Sequence, residues 1–172
     1  PGPPGADDNA SGVAVLLELA RILKGQALSK EVRLVAFANE EPPSFFTSNM
    51  GSYHYAQKLK SEGRDVIGMI SLEMLGYYNT APGSQYYPPF LSWFYPDRGN
   101  FVGLVGNLRS RRFLQNCGKA WQANSDFPLE SASLPAFISA SVLSAHWNFQ
   151  RAGSPGLMLT DPAFFRNPHY HD

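Results

Sequence analysis

The stretch "VRLVAFANEEPP", residues 32–43, opens with an apolar run rich in branched side chains and closes on two carboxylates and two prolines. A run over 32–38 that is apolar but for Arg33 fits a strand covered on both faces better than one with a wet side, so it points to a parallel sheet inside an α/β fold. Outward from it, "VIGMISLEM" (66–74) has the same character, and "FVGLVGN" (101–107) and "PGLMLTD" (155–161) are shorter versions. Helical spacing lies between them. In "SGVAVLLELARILKG" (11–25), Val13, Leu16, Leu17, Ala20 and Leu23 fall on one face, with Asp8, Asn9 or Ser11 as cap and Gly25 as stop. Residues 47–61 and 109–124 read as further helices. The alternation predicts a three-layer α/β sandwich, a mostly parallel mixed sheet with helices on both faces. The aromatic, proline-rich loop "YYPPFLSWFYPDRGN" (86–100) either walls a pocket or covers the core.

The bulk composition agrees with one globular domain over 1–172: 172 residues, 44% hydrophobic and 16% charged, are enough for one core and short for two. Fourteen basic residues against fourteen acidic ones leave no net charge, and Arg109, Arg111 and Arg112 are the densest basic group, which argues against a nucleic-acid partner. A single cysteine, Cys117, excludes an internal disulfide and a cysteine-built zinc site. No stretch approaches the roughly 20 apolar residues of a membrane span. The chain opens at Pro1 within a Pro-Gly turn and closes at Asp172 without a capping element, so it is expected to be part of a longer polypeptide that lacks its N-terminal portion here.

In open α/β sheets ligands collect beyond the carboxyl ends of strands. This chain concentrates acids and imidazole there: Asp7 and Asp8 in "PGADDNASG", Glu40 and Glu41 after one strand, Glu73 near the end of the next, and His169 and His171 after the last. Carboxylate and imidazole are the donors that zinc and similar divalent cations accept. Pro42 cannot donate to a ladder and holds Glu41 extended, so strand pairing ends there and both glutamates are able to turn toward one site. Two adjacent carboxylates repel unless a cation lies beside them; one acid would then ligate a metal while the other takes a proton from its water. Each feature also has a plain structural reading. Asp-Asp-Asn before a helix is a cap signal, Glu73 fits a buried ion pair as well as a metal site, and His54 and His146 read as ordinary packed or exposed histidines.

Taken together, "PGADDNASGVAVLLELARIL", "AFANEEPP", "SLEMLGYY" and "LMLTDPAFFRNPHYHD" resemble the co-catalytic zinc aminopeptidases of peptidase clan MH, which include bacterial leucyl aminopeptidase and the glutamate carboxypeptidase catalytic domain. The resemblance implies a mixed eight-stranded sheet and two zinc ions roughly 3.5–4 Å apart. It implies Asp8 as the bridging ligand, Glu40 as general base, Glu41 and His171 as ligands of one metal and Glu73 as ligand of the other. His169, two residues from His171, is the rival imidazole, and Asp7 and the glycines shape the loop. The family's further histidine, in a His-x-Asp motif, would lie upstream of Pro1, so one zinc or none is expected in this chain. Ala145 in "SAHWNF" stands where relatives commonly carry an aspartate. The implied activity is removal of N-terminal residues from peptides with a free N-terminus, outside the cytoplasm. A glutaminyl-cyclase-like acyltransferase using one zinc on Asp8, Glu41 and His171, and a non-catalytic interaction domain of the same fold, are the alternatives.

Overall fold

The computed structural model describes residues 4–135 and 144–170. Four strands form its sheet: β1 (Met69–Glu73), β2 (Val102–Asn107), β3 (Leu129–Leu134) and β4 (Gly156–Thr160), in spatial order β1-β4-β2-β3. β1 runs parallel to β4 and β2 parallel to β3, while β2 and β4 meet antiparallel, so the sheet is mixed as expected. Four helices flank it: α1 (Gly12–Leu23), α2 (Gly51–Ser61), α3 (Arg111–Asn124) and α4 (His146–Ala152).

The register assigns each helix to a face. Met69 of β1 packs with Ala56 and Leu59 of α2 and Phe149 of α4. Leu157 of β4 is the partner of Ile70, hence on the opposite face from Met69, and packs with Leu104 and with Leu114 of α3. α2 and α4 therefore cover one face and α3 the other, giving the three-layer sandwich. Leu157 is completely buried, and Leu157→Ala is expected to cost about 2–5 kcal/mol through lost burial and the cavity left behind.

Four expectations are corrected. Residues 32–38 join no ladder among the described residues, and Val32 is 52% exposed, so this apolar run is not a strand buried on both faces. A strand needs a partner across the sheet, and local composition does not supply one. In 66–74 only Met69–Glu73 pairs, and Ile70 is 42% exposed because β1 lies at the sheet edge. Four strands are found among the described residues where the resemblance implied eight. The helix expected over 47–61 begins at Gly51, after a series of turns from residue 41.

α1 also departs from its expected inner face: Val13 and Leu17 are exposed, and its fully buried residue is Gly12. A Cβ on Gly12 would stand 2.5 Å from the Leu72 carbonyl oxygen, so only glycine lets this helix start press against β1. That close approach brings the Asp7–Asp8 loop to the end of the strand carrying Glu73.

Candidate metal centre

The site forms where three segments meet at the carboxyl end of β1: the turn Ala6–Ser11, residues 39–41, and Glu73 itself. The backbone leaving β1 is held by four consecutive N–H groups. Met74 N donates to Asn9 Oδ1 (3.1 Å), Leu75 N to Ser11 Oγ (2.9 Å), Gly76 N to Asp7 Oδ1 (2.9 Å) and Tyr77 N to Asp161 Oδ2 (2.6 Å). Asn9 Nδ2 adds a bond to the Leu72 carbonyl at 2.9 Å, and its Oδ1 also caps α1 by accepting from Gly12 N at 3.2 Å. Thus Asp7, Asn9 and Ser11 all turn toward 72–76. Backbone donors that would be orphaned at a strand end are satisfied, and the loop carrying Asp8 is fixed to the turn after Glu73.

The remaining acids of the motif set converge. Glu40 feels Glu73, Glu41 and Asp8, and Glu73 feels Asp8 and Glu41. Burial, then the charges of Glu73, Glu41 and Asp8, push the Glu40 carboxyl up to about 8. Burial pushes Glu73, 6% exposed, up to about 7; the Ser144 hydroxyl, donating to Oε2 at 2.6 Å, pulls down, while Asp8 and Glu41 push up. Ser144 in turn shares a 2.6 Å hydrogen bond with Ser71, a buried relay behind Glu73. The Tyr170 hydroxyl is raised by burial and then by Asp8, Glu41, Glu73 and Glu40, which puts it against the same four acids and keeps it protonated as a donor.

Asp8, Glu40, Glu41 and Glu73 are therefore brought together as the sequence suggested. His171 lies outside the described residues. His169 is exposed, with its backbone N–H on Asn167 Oδ1 at 3.0 Å, and is not among the groups that shift Glu40 or Glu73. His54 is exposed on α2 against the Tyr53 ring, and His146 is fully buried in α4. Ala145 is buried at the start of that helix, next to Ser144. Among the described residues, no three His, Cys, Asp or Glu side chains form a preassembled metal cage. The donor set nevertheless fits a divalent cation: four carboxylates lie near enough to act on one another, two of them are raised by burial and by the like charges beside them, and a bound cation would oppose both shifts. Sequence reasoning passed over Ser144 and Tyr170 as site residues; the signals were the serine of "SAH" and the tyrosine of "PHYH".

Beneath this cluster lies a second pair of acids. Asp7 Oδ2 and Asp161 Oδ1 are buried with no N–H or O–H donor among the described residues. Two carboxylate oxygens satisfy each other only when one carries a proton, and Asp161 sits where that holds. Burial, opposed by the Tyr77 N–H, then the charge of Asp7, opposed by Arg166, and a hydrogen bond with Asp7 set it at about 7. Arg166 is buried, donating to Gln85 Oε1 (2.7 Å), the Tyr77 carbonyl (3.1 Å) and the Phe101 carbonyl (3.0 Å).

A family model for peptidase family M28 matches residues 1–172. The chain belongs to this family. It is 48% identical over 169 residues to protein YfbL of Escherichia coli (strain K12), covering 98% of this chain and 51% of YfbL. It is 38% identical over 98 residues to aminopeptidase YwaD of Bacillus subtilis (strain 168), covering 51% of this chain and 20% of that protein. This M28 chain thus spans about half the length of YfbL. Its fold is that of the Legionella pneumophila LapA aminopeptidase, with a TM-score of 0.66 at 18% identity, covering 98% of this chain and 39% of LapA. The zinc aminopeptidase BSAP from Bacillus subtilis superposes with a TM-score of 0.60 at 23% identity, covering 98% of this chain and 35% of BSAP.

Proposed function

We propose that the protein carrying this M28 chain is a zinc-dependent aminopeptidase that acts on peptides with a free N-terminus. The observation that carries this reading is the convergence of Asp8, Glu40, Glu41 and Glu73 at the carboxyl end of β1. A carboxylate beside a metal-held water is suited to accept a proton from it and give it up again. The family membership and the names of YwaD, LapA and BSAP support the same reaction class.

In this reading Asp8, Glu41, Glu73 and His171 would hold zinc. Bound zinc supplies a Lewis acid and a water acidified to a pKa of about 7. Glu40 takes the proton of the attacking water on a carboxylate oxygen and delivers it to the departing amide nitrogen. Ser144 holds the orientation of Glu73 through Oε2, so its oxygens present to the site in one direction. Tyr170, kept protonated by burial and then by the four acids, offers an O–H at the cluster. Asp7, Asn9 and Ser11 fix the spacing between Asp8 and Glu73 through the 74–77 amides.

The test is release of free amino acid from aminoacyl-nitroanilides by the zinc-loaded protein, wild type against Glu40→Gln. Release that disappears in the variant supports the reading. Conversion of N-terminal glutamine to pyroglutamate without such release would replace it with the cyclase-like activity.

A further inference from the structure

Arg166 is a buried cation that the proposed reaction does not use. It is 5% exposed, and among the described residues it forms no ion pair with a carboxylate. Its three guanidinium nitrogens go instead to three separate segments: Nε to Gln85 Oε1 (2.7 Å), Nη1 to the Tyr77 carbonyl (3.1 Å) and Nη2 to the Phe101 carbonyl (3.0 Å). Tyr77 closes the turn that leaves β1 after Glu73, Gln85 precedes the 86–100 loop, and Phe101 leads into β2. The guanidinium also lies over the Phe101 and Tyr78 rings, 4.7 and 5.5 Å from their centroids. Burying a guanidinium without an ion pair is costly, and an apolar residue of similar size would serve packing better. What the guanidinium adds is a rigid fork of donors that fixes several acceptors relative to one another.

The backbone beside Arg166 carries that fixing to the site. Asn167, the next residue, donates its N–H to the Ala163 carbonyl (2.6 Å) and accepts from the Tyr170 N–H on its own carbonyl (3.2 Å) and from the His169 N–H on Oδ1 (3.0 Å). The turn 163–170 is thus hydrogen-bonded along its length, and it ends at Tyr170, whose hydroxyl feels Asp8, Glu41, Glu73 and Glu40. On the other side, the Tyr77 carbonyl belongs to the turn whose amides hold the Asp8 loop beside Glu73. Gly99 shows how closely the arginine is held: a Cβ there would stand 2.6 Å from both its Cδ and its Nε.

We propose that Arg166 is a positioning residue for the metal centre, setting the 163–170 turn, with Tyr170 at its end, against the 74–77 turn that follows Glu73. The inference rests on the zinc aminopeptidase reading for the metal, while the link between the two turns stands on the bonds to Arg166 alone.

Two variants that disturb this side chain by different routes test it. Arg166→Lys keeps the charge and loses the fork. Gly99→Ala keeps the arginine and displaces it, since the backbone of Gly99 lies outside the left-handed region and a Cβ there meets the arginine first. Both are read by amide hydrogen exchange of the metal-free protein, by competitive zinc titration and by the visible spectrum of bound cobalt(II), which follows ligand geometry. Each variant is expected to speed exchange about tenfold in 74–77 and 163–170 while α2 and α3 keep wild-type rates, to weaken zinc binding about 10–100-fold and to shift the cobalt spectrum. The double variant should be no worse than the more damaging single one, because both changes act through one side chain. Wild-type exchange in the two turns, or exchange raised equally throughout the sheet with zinc affinity and cobalt spectrum unchanged, overturns the proposal and leaves Arg166 a packing residue. Faster exchange confined to the two turns of a protein that binds zinc in no form would remove the metal reading and keep the link between the turns. Zinc held equally tightly by wild type and both variants would remove the positioning role and keep the metal.

Discussion

Two groups of carboxylates sit within a few residues of one another and are treated in opposite ways. Asp7 and Asp161 each have one oxygen taken by a backbone N–H, from Gly76 and Tyr77, with the cation Arg166 acting on Asp161. Glu40 and Glu41 accept no side-chain hydrogen bond among the described residues, and Glu40 is pushed up by burial and by three like charges. Folding normally arranges donors around buried acids because leaving them unpartnered costs free energy. The aspartates receive one such donor each and leave Asp7 Oδ2 and Asp161 Oδ1 to each other, whereas half-buried Glu40 and exposed Glu41 receive none among the described residues. The difference separates acids that hold the structure from acids held ready for something absent from the polypeptide.

The largest effect that would sharpen this contrast is on turnover. Glu40→Gln is expected to lower kcat about a thousandfold while zinc content stays unchanged, read by nitroanilide hydrolysis beside elemental analysis. Parallel loss of metal would make Glu40 a ligand and not the base. Next comes affinity. On the aspartate side, Asp161→Ala removes the acceptor of the Tyr77 N–H and is expected to weaken zinc binding about 10–100-fold by freeing the turn after Glu73. Asp161→Asn keeps an acceptor for Tyr77 and adds a donor for Asp7, so it should stay close to wild type in competitive zinc titration. Equal damage from both substitutions would mean that charge, not the bond, matters there.

A smaller effect is the pH dependence of stability. Glu40 and Glu73 have folded values of about 8 and 7 against an ordinary 4.5, so above about pH 4.5 the folded metal-free chain binds protons that the unfolded chain has lost. Stability is then greatest near and below pH 4.5 for these groups and falls as pH rises toward 8. Thermal melts in chelator are expected to show a Tm lower by about 5 °C at pH 8 than at pH 5.5, and zinc should cancel the difference. A Tm that rises over this range without metal would contradict the crowding of the acids. The smallest change is expected from Ser144→Ala, which removes one donor from Glu73 and should raise that carboxyl further, costing zinc affinity less than about tenfold.

Much of this was legible in the chain because it rests on local patterns. "FVGLVGN" and "PGLMLTD" became β2 and β4 nearly to the residue, and α3 lies within 109–124. The acids Asp8, Glu40, Glu41 and Glu73 stood out by position at the ends of apolar runs, and the fold brings them together. What escaped is non-local. "VRLVAFA" has strand chemistry but finds no ladder partner among the described residues. β3, "LESASL", has too few large apolar residues to announce itself, and pairing with β2 makes it a strand. Asn9 and Ser11 read as helix caps. Asn9 does cap α1, but its bonds to Leu72 and Met74, and that of Ser11 to Leu75, span more than sixty positions and no local pattern encodes them.

The central claim is that the unpartnered glutamates wait for a divalent cation, and the most direct measurement is zinc bound per chain after dialysis against trace zinc, wild type beside Glu41→Gln. Zinc bound stoichiometrically by the wild type and lost from the variant is the predicted result. No zinc in the wild type, or zinc that the substitution leaves in place, would contradict the account and leave the acids at the end of "VRLVAFANEE" without the partner assigned to them.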